Sequence, residues 1–194
     1  MSVQKRGAIL LSFGVVVLLI VIIIGWSISV RNNLVAMEEE INSAWAEIDH
    51  QLQRRADLIP NLVNTVKGYA SHEEEVFTKI ADARAKLAGG GSVEEKAEGY
   101  EEMQSALSRL LVVVEQYPDL KANQNFTRLM DELAGTENRI AVARKRYNDT
   151  VRKFNTKIRM FPTSIIAGNL GLEKQPYFEI SEAARETPKV DFGE

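Results

Sequence analysis

Cysteine is absent from the 194-residue chain, and several chemistries are absent with it. Disulfides, thiolate zinc sites, a cysteine nucleophile and a cysteine-borne lipid anchor are all excluded. Histidine is scarce: His50 and His72 lie 22 positions apart and lack the spacing of a local metal motif. There is no surplus of positive charge. Lys and Arg number 24 against 27 Asp and Glu, and only Lys5 and Arg6 precede position 31, so the remainder holds 22 cations against 27 anions. A nucleic-acid binder usually shows a basic face, so none is expected as a partner. At roughly 150 residues per domain the length suits one domain with an appendage.

Charge is also missing from one long stretch. The 24 residues from Gly7 to Val30 carry none, and Val15 to Ile24 are all Val, Leu or Ile. About 20 apolar residues in a helix cross the hydrocarbon core of a bilayer. The apolar region of a cleavable signal peptide runs only about 7–15 residues. Residues 1–30 therefore read as a retained single-pass anchor, with Trp26 as an interfacial aromatic. Lys5 and Arg6 precede the span and only Arg31 comes after it before Glu38, Glu39 and Glu40. By the positive-inside rule this tally favours a cytoplasmic N-terminus and an extracytoplasmic body.

Beyond Arg31 the apolar positions recur in alternating steps of three and four: Leu34, Ile41, Trp45, Ile48, Leu52, Ile59, Leu62, Val66 and Tyr69. Such spacing predicts an amphipathic helix of bundle type. Pro60 falls in phase within it and predicts a kink, with the break at Gly68. Ser71 with Glu74, and Ser92 with Glu95, read as capping boxes opening a second and a third helix around Gly89-Gly90-Gly91. The second carries Val76, Ile80, Ala83 and Leu87; the third carries Ala97, Tyr100, Met103, Leu107, Leu110, Val114 and Tyr117 and stops at Pro118. A fourth begins near Asn123, carries Phe126, Leu129, Leu133, Ile140, Tyr147, Val151, Phe154 and Ile158, and ends at Phe161-Pro162. The expected fold is all-α: an N-terminal transmembrane helix leading into a long antiparallel four-helix bundle over 31–162, then a tail over 163–194. That tail is apolar first and, from its composition, disordered at the end.

Particular strings go further than the pattern. Arg54 to Glu73 (RRADLIPNLVNTVKGYASHE), Tyr117 to Asn155 (YPDLKANQNFTRLMDELAGTENRIAVARKRYNDTVRKFN), and Phe161-Pro162 with the later Pro176 to Glu179 (PYFE) resemble the signatures of the LemA family. The resemblance runs from about residue 32 to 180. It implies a membrane-anchored helical bundle without an established biochemical activity. The family name was once shared with a sensor kinase, but no H-R-D, D-F-G or glycine loop between strands is present. Magnetosome-membrane members suggest a membrane-shaping role. Relatives beside genes for membrane proteases suggest an adaptor instead.

Candidate chemistry is sparse. Gly89-Gly90-Gly91 lacks the G-x-G-x-x-G spacing of a phosphate cradle. Glu73, Glu74 and Glu75 suit the start of a helix, where negative charge complements the dipole. The Asn125 and Asn148 N-x-[ST] matches fall on a helix. No catalytic residue, cofactor or metal ligand is expected, and the chain is read as a non-enzyme. The notable residues are polar ones at apolar positions. Arg55 occupies a heptad core position, and Glu137 and Arg144 interrupt the inner stripe of the fourth helix. Together they are expected to form an inter-helix polar network, which can fix register or partner choice. If helices one and four run antiparallel with equal rise, facing residues sum to about 192. Arg55 then meets Glu137, Leu52 meets Ile140 and Trp45 meets Tyr147. In the tail Ile165, Ile166, Leu170, Leu172, Tyr177, Phe178 and Ile180 are unusually apolar. Exposed, they would form an interaction patch. Packing back on their own bundle, lying in the headgroup region and docking on a second copy of the chain are the three destinations. The second copy is favoured over lipid because Glu173, Glu179 and Glu182 leave no cationic face. The anchor leading straight into a heptad-patterned arm makes a homo-oligomeric scaffold the expected role. Partners are thus the lipid bilayer, copies of itself and an envelope protein.

Overall fold

The computed structural model describes residues 3–180, with side chains at 11 and 13–180. Six helices succeed one another: α1 Val3–Lys67, α2 Glu74–Ala88, α3 Val93–Val114, the one-turn α4 Pro118–Lys121, α5 Gln124–Lys157 and α6 Thr163–Asn169. The described residues contain no strand. Packing divides them into two compact units, 3–41 with 152–175 and 42–151 with 176–180.

Helix α1 has two parts with opposite surfaces. Every described side chain from Leu11 to Ile24 is exposed. A helix that is apolar all round belongs in a core or in lipid, and these side chains have no core around them. From Leu34 onward one face is buried, at Leu34, Ile41, Ile48, Leu52, Ile59, Leu62 and Val66. Pro60 lies inside α1 without ending it. The helix closes where the amides of Tyr69 and Ala70 both bond the Val66 carbonyl, each at 2.9 Å.

The next helix starts later than expected. The N-cap of α2 is Glu73, with no side-chain cap bond, so Ser71 and Glu74 form no capping box. Ser71 and His72 sit in the turn instead, where the Glu73 amide bonds the Ala70 carbonyl at 3.4 Å. The buried face of α2 is Phe77, Ile80, Ala83 and Leu87, while Val76 is half-buried. At the start of α3 the capping box does form: the Glu95 amide donates to Ser92 Oγ at 3.2 Å, and the Ser92 amide donates to Glu95 Oε2 at 2.7 Å. Pro118 opens α4 at its first turn, a position that needs no amide proton. Asn123 caps α5, its Oδ1 accepting from the amides of Asn125 and Phe126 at 2.9 and 3.2 Å. All eight apolar positions expected to face inward on α5 are buried.

Helix α6 ends in a Schellman motif. Gly171 has φ +67°, which lets its amide reach Gly168 and the Leu172 amide reach Ala167, both at 3.1 Å. Beyond it the chain runs extended to Ile180. Asn155 clamps Gln175 by donating to its carbonyl (2.8 Å) and accepting from its amide (2.9 Å). The segment 181–194, expected to be disordered, lies outside the described residues.

Candidate functional site

In the unit built from 42–151 and 176–180, four polar side chains from three helices meet. Arg55 on α1 is 3% exposed. It pairs with the Glu137 carboxylate on α5 and donates from Nη2 to Gln104 Oε1 on α3 at 2.8 Å. Tyr100 on α3 donates its phenolic proton to the other Glu137 oxygen, and its own oxygen accepts from Gln104 Nε2 at 3.3 Å. The guanidinium carbon stands 5.4 Å from the Tyr100 ring centroid, within cation–π range. Burial, then the Glu137 hydrogen bond and charge, push the Tyr100 phenol far above its ordinary range, and Arg55 pulls only partly the other way. The phenol therefore stays a donor at any physiological pH. Arg55 Nε is buried without a partner.

The arrangement is closed on itself. Both Glu137 oxygens and both terminal Arg55 nitrogens are engaged by side chains. Such a cluster specifies which turn of one helix faces which turn of another. Further pairs along α1 and α5 have the same register. The Trp45 and Tyr147 rings lie 5.6 Å apart, Gln51 accepts from Arg139 at 3.2 Å, and Tyr69 accepts from Asn123 at 3.0 Å. The numbers fall on α1 as they rise on α5, so these segments are antiparallel. Arg144 is half-buried and stands apart; among the described residues it makes no side-chain hydrogen bond or ion pair. The network expected from Arg55, Glu137 and Arg144 is instead built from Arg55, Glu137, Tyr100 and Gln104.

A second polar contact ties α3 to its neighbours. The Lys96 side chain is nearly buried. Its ammonium donates to the Leu87 carbonyl at 2.9 Å and stands 2.9 Å from Asp49 Oδ1. Leu87 lies in the last turn of α2, where a cation satisfies an orphan carbonyl and complements the dipole.

The tail residues have separate fates. Phe178 is 1% exposed, with ring centroids of Trp45 at 6.0 Å and Tyr100 at 6.2 Å. Its amide donates to Asn148 Oδ1 at 2.9 Å, and its carbonyl accepts from Asn148 Nδ2 at 3.1 Å. Tyr147 donates to the Pro176 carbonyl at 2.9 Å. Burial, then the Glu94 charge, push the Tyr147 phenol up to about 12. Phe178 is therefore a core residue of its own chain, which corrects its expected place on a surface for a second copy. Its burial against aromatic rings outweighs what a solvated edge could gain. Ile165 and Tyr177 are exposed; Ile166, Leu170, Leu172 and Ile180 are half-buried.

Sequence reasoning passed over Asn148, Asn155 and Gln104, because a polar residue at a bundle flank looks the same solvated or clamped. His50 and His72 are exposed, and no group of three His, Asp or Glu suited to a metal occurs among the described residues.

A family model for the LemA family matches residues 44–192. The chain belongs to the LemA family. Protein LemA of Metamycoplasma hominis is 30% identical over 80% of this chain and 71% of its own length. Magnetosome protein MamQ 2 of Paramagnetospirillum magneticum is 27% identical over 95% of this chain and 77% of its own. Magnetosome protein MamQ of Magnetospirillum gryphiswaldense is 26% identical with the same coverages. With the apolar exposed start of α1, these relatives make the chain a membrane-associated, all-helical LemA protein.

Proposed function

We propose that this LemA protein is a non-enzymatic, self-associating scaffold of the bacterial inner membrane, with its body on the extracytoplasmic side. The observation that carries this reading is the continuity of α1, a single helix from Val3 to Lys67 that holds both the apolar span and a bundle face. A scaffold gains from having its anchor and its bundle in one helix, whereas an enzyme tethered by a linker does not need it. The closed polar cluster supports it, since its groups serve register and leave no carboxylate pair open for acid–base work. Copies would meet through the apolar span and the exposed Ile165 and Tyr177, with the half-buried Ile166, Leu170, Leu172 and Ile180 beside them. The second reading is an adaptor for another envelope protein. It draws on an open cleft of about 660 Å³ lined by side chains of both signs, among them Lys79, Asp82, Glu102 and Arg109.

The absence of cysteine makes the test clean. Full-length protein in mild detergent should run as a discrete oligomer by size exclusion with light scattering. A single Ile165→Cys should form disulfide dimers on oxidation of native membranes, and Ser71→Cys, exposed in the turn before α2, should react with an impermeant maleimide added outside. Monodisperse monomer without cross-links would overturn the scaffold and favour the adaptor. A shielded Ser71→Cys would reverse the orientation.

A further inference from the structure

The unit formed by 3–41 and 152–175 holds a feature that the polar cluster does not explain. A cleft of about 450 Å³ is lined by Asn33 and Met37 of α1 and by Lys153, Thr156, Lys157 and Met160 at the end of α5, with Arg152 at its edge. From Arg152 to Leu172 the chain has four cations, Arg152, Lys153, Lys157 and Arg159, and no acid. A protein whose body carries net negative charge has gathered cations at one place. The place is set by the helix. Asn33 lies three residues, and Met37 seven, beyond the last uncharged residue of the span, Val30. At 1.5 Å per residue these are about 4.5 and 10.5 Å along the axis. The headgroup layer on each side of the hydrocarbon core is about 5–8 Å deep, so the Asn33 end of the cleft lies within that layer and the Met37 end just above it. The acids of α1, Glu38, Glu39 and Glu40, begin about 12 Å beyond Val30, above that layer. Next to the cleft Met160 is 56% and Phe161 81% exposed. An apolar pair beside a cationic rim is what an interfacial segment presents to lipid.

We propose that this cleft binds the phosphate of an anionic phospholipid in the leaflet that α1 leaves, with Lys153 and Lys157 of its lining as the recognising cations and the exposed Arg159, two residues further along the chain, adding to the local positive charge. Met160 and Phe161 rest against the acyl boundary. The site docks the end of α5 to the bilayer, so the body is held at two points, the span and this headgroup. The proposal holds whether the chain is a monomer or an oligomer, and its test reads lipid instead of assembly.

Full-length protein in nonionic detergent is mixed with equal phosphatidylglycerol and phosphatidylcholine, and retained lipid is counted by native mass spectrometry. The wild-type chain should retain phosphatidylglycerol in clear excess. Each basic residue near an anionic surface is worth roughly a fivefold change in partition. The triple variant Lys153→Gln, Lys157→Gln, Arg159→Gln should therefore lose that excess by tenfold or more while keeping its helical circular dichroism. The single variant Lys153→Gln, losing about fivefold, serves if the triple variant does not fold. A control triple, Lys67→Gln, Lys79→Gln, Lys121→Gln, removes as many cations elsewhere and should retain the lipid. Equal retention of the two lipids, or a loss in the control as large as in the cleft variant, overturns the site. Displacement of phosphatidylglycerol by equimolar inorganic phosphate would make it a soluble-phosphate site and overturn the lipid assignment.

Discussion

A guanidinium buried among helices is costly unless its charge is paired. Arg55 is answered by Glu137, Gln104 and the Tyr100 ring, and removing one answer should expose the cost. Breaking a buried pair from one side costs roughly 3–5 kcal/mol, whereas a rim pair is worth about 0–1. Glu137 keeps 36% of its side chain exposed, so Glu137→Leu is expected near the lower figure, about 3 kcal/mol by denaturant midpoint. The double variant Arg55→Leu, Glu137→Leu should recover most of that loss, since an apolar pair leaves no stranded charge. A cycle with coupling near zero would remove the cluster's role in register. The phenols make a separate prediction. Tyr147 keeps its proton up to about 12 when folded, and an unfolded tyrosine releases it near 10. Between those values the folded state binds more protons, so stability is fully present below about 10 and falls as pH rises. The slope is at most about 1.4 kcal/mol per pH unit for one such group, and Tyr100 acts in the same direction. Tyr147→Phe should flatten the loss of stability between pH 10 and 11.5; an unchanged slope would contradict the assignment.

At the scale of elements, the α2–α3 hairpin depends on a residue with no side chain. Glycine inside a helix costs about 1 kcal/mol against alanine, yet Gly99 sits within α3. A Cβ there would stand 3.1 Å from Lys86 Cβ and 3.3 Å from the Leu87 amide nitrogen. The two helices approach to backbone distance, and Lys96 bonds the Leu87 carbonyl only because they do. Overpacking costs about 1–3 kcal/mol, which offsets the gain in propensity. Gly99→Ala is expected to lower stability by about 1 kcal/mol, and Gly99→Val by more; a more stable alanine variant would mean the hairpin can open without loss. The helices themselves were legible from periodicity, since the apolar residues at helical spacing along α5 are buried, while Val142, off that stripe, is exposed. Their caps were only half legible. Ser71/Glu74 and Ser92/Glu95 have the same letters, but Ser92 is extended at ψ 168° after three glycines and Ser71 lies inside a turn. Phe77 and Val76 stand three and four residues before Ile80, so both keep helical phase; Phe77 takes the buried position and Val76 the half-buried one. Half of the polar cluster could be read, because Arg55 breaks a heptad of apolar residues. Tyr100 could not be read as part of it: its ring satisfies the apolar pattern, and nothing in the pattern shows where its hydroxyl points. Phe178 was misplaced because an extended tail has no periodicity, and its anchor, Asn148, looks from sequence like any surface amide.

For the whole molecule, the membrane association rests on the exposed apolar start of α1 and on membership of the LemA family. A continuous helix also has a definite angular phase where it leaves the span. Each inserted residue turns the downstream part of the helix by about 100° and lengthens the rod by only 1.5 Å. A solitary span in a fluid bilayer is surrounded by the same lipid at every azimuth, so alanines inserted between Val30 and Arg31 would leave it indifferent to their number. A span seated against another span has a preferred azimuth. Its behaviour would oscillate as one, two, three or more residues are added, returning near the starting phase at seven and again at eleven. The shape of that series, flat or periodic, would report from genetics alone whether the membrane-embedded part of α1 faces lipid or protein.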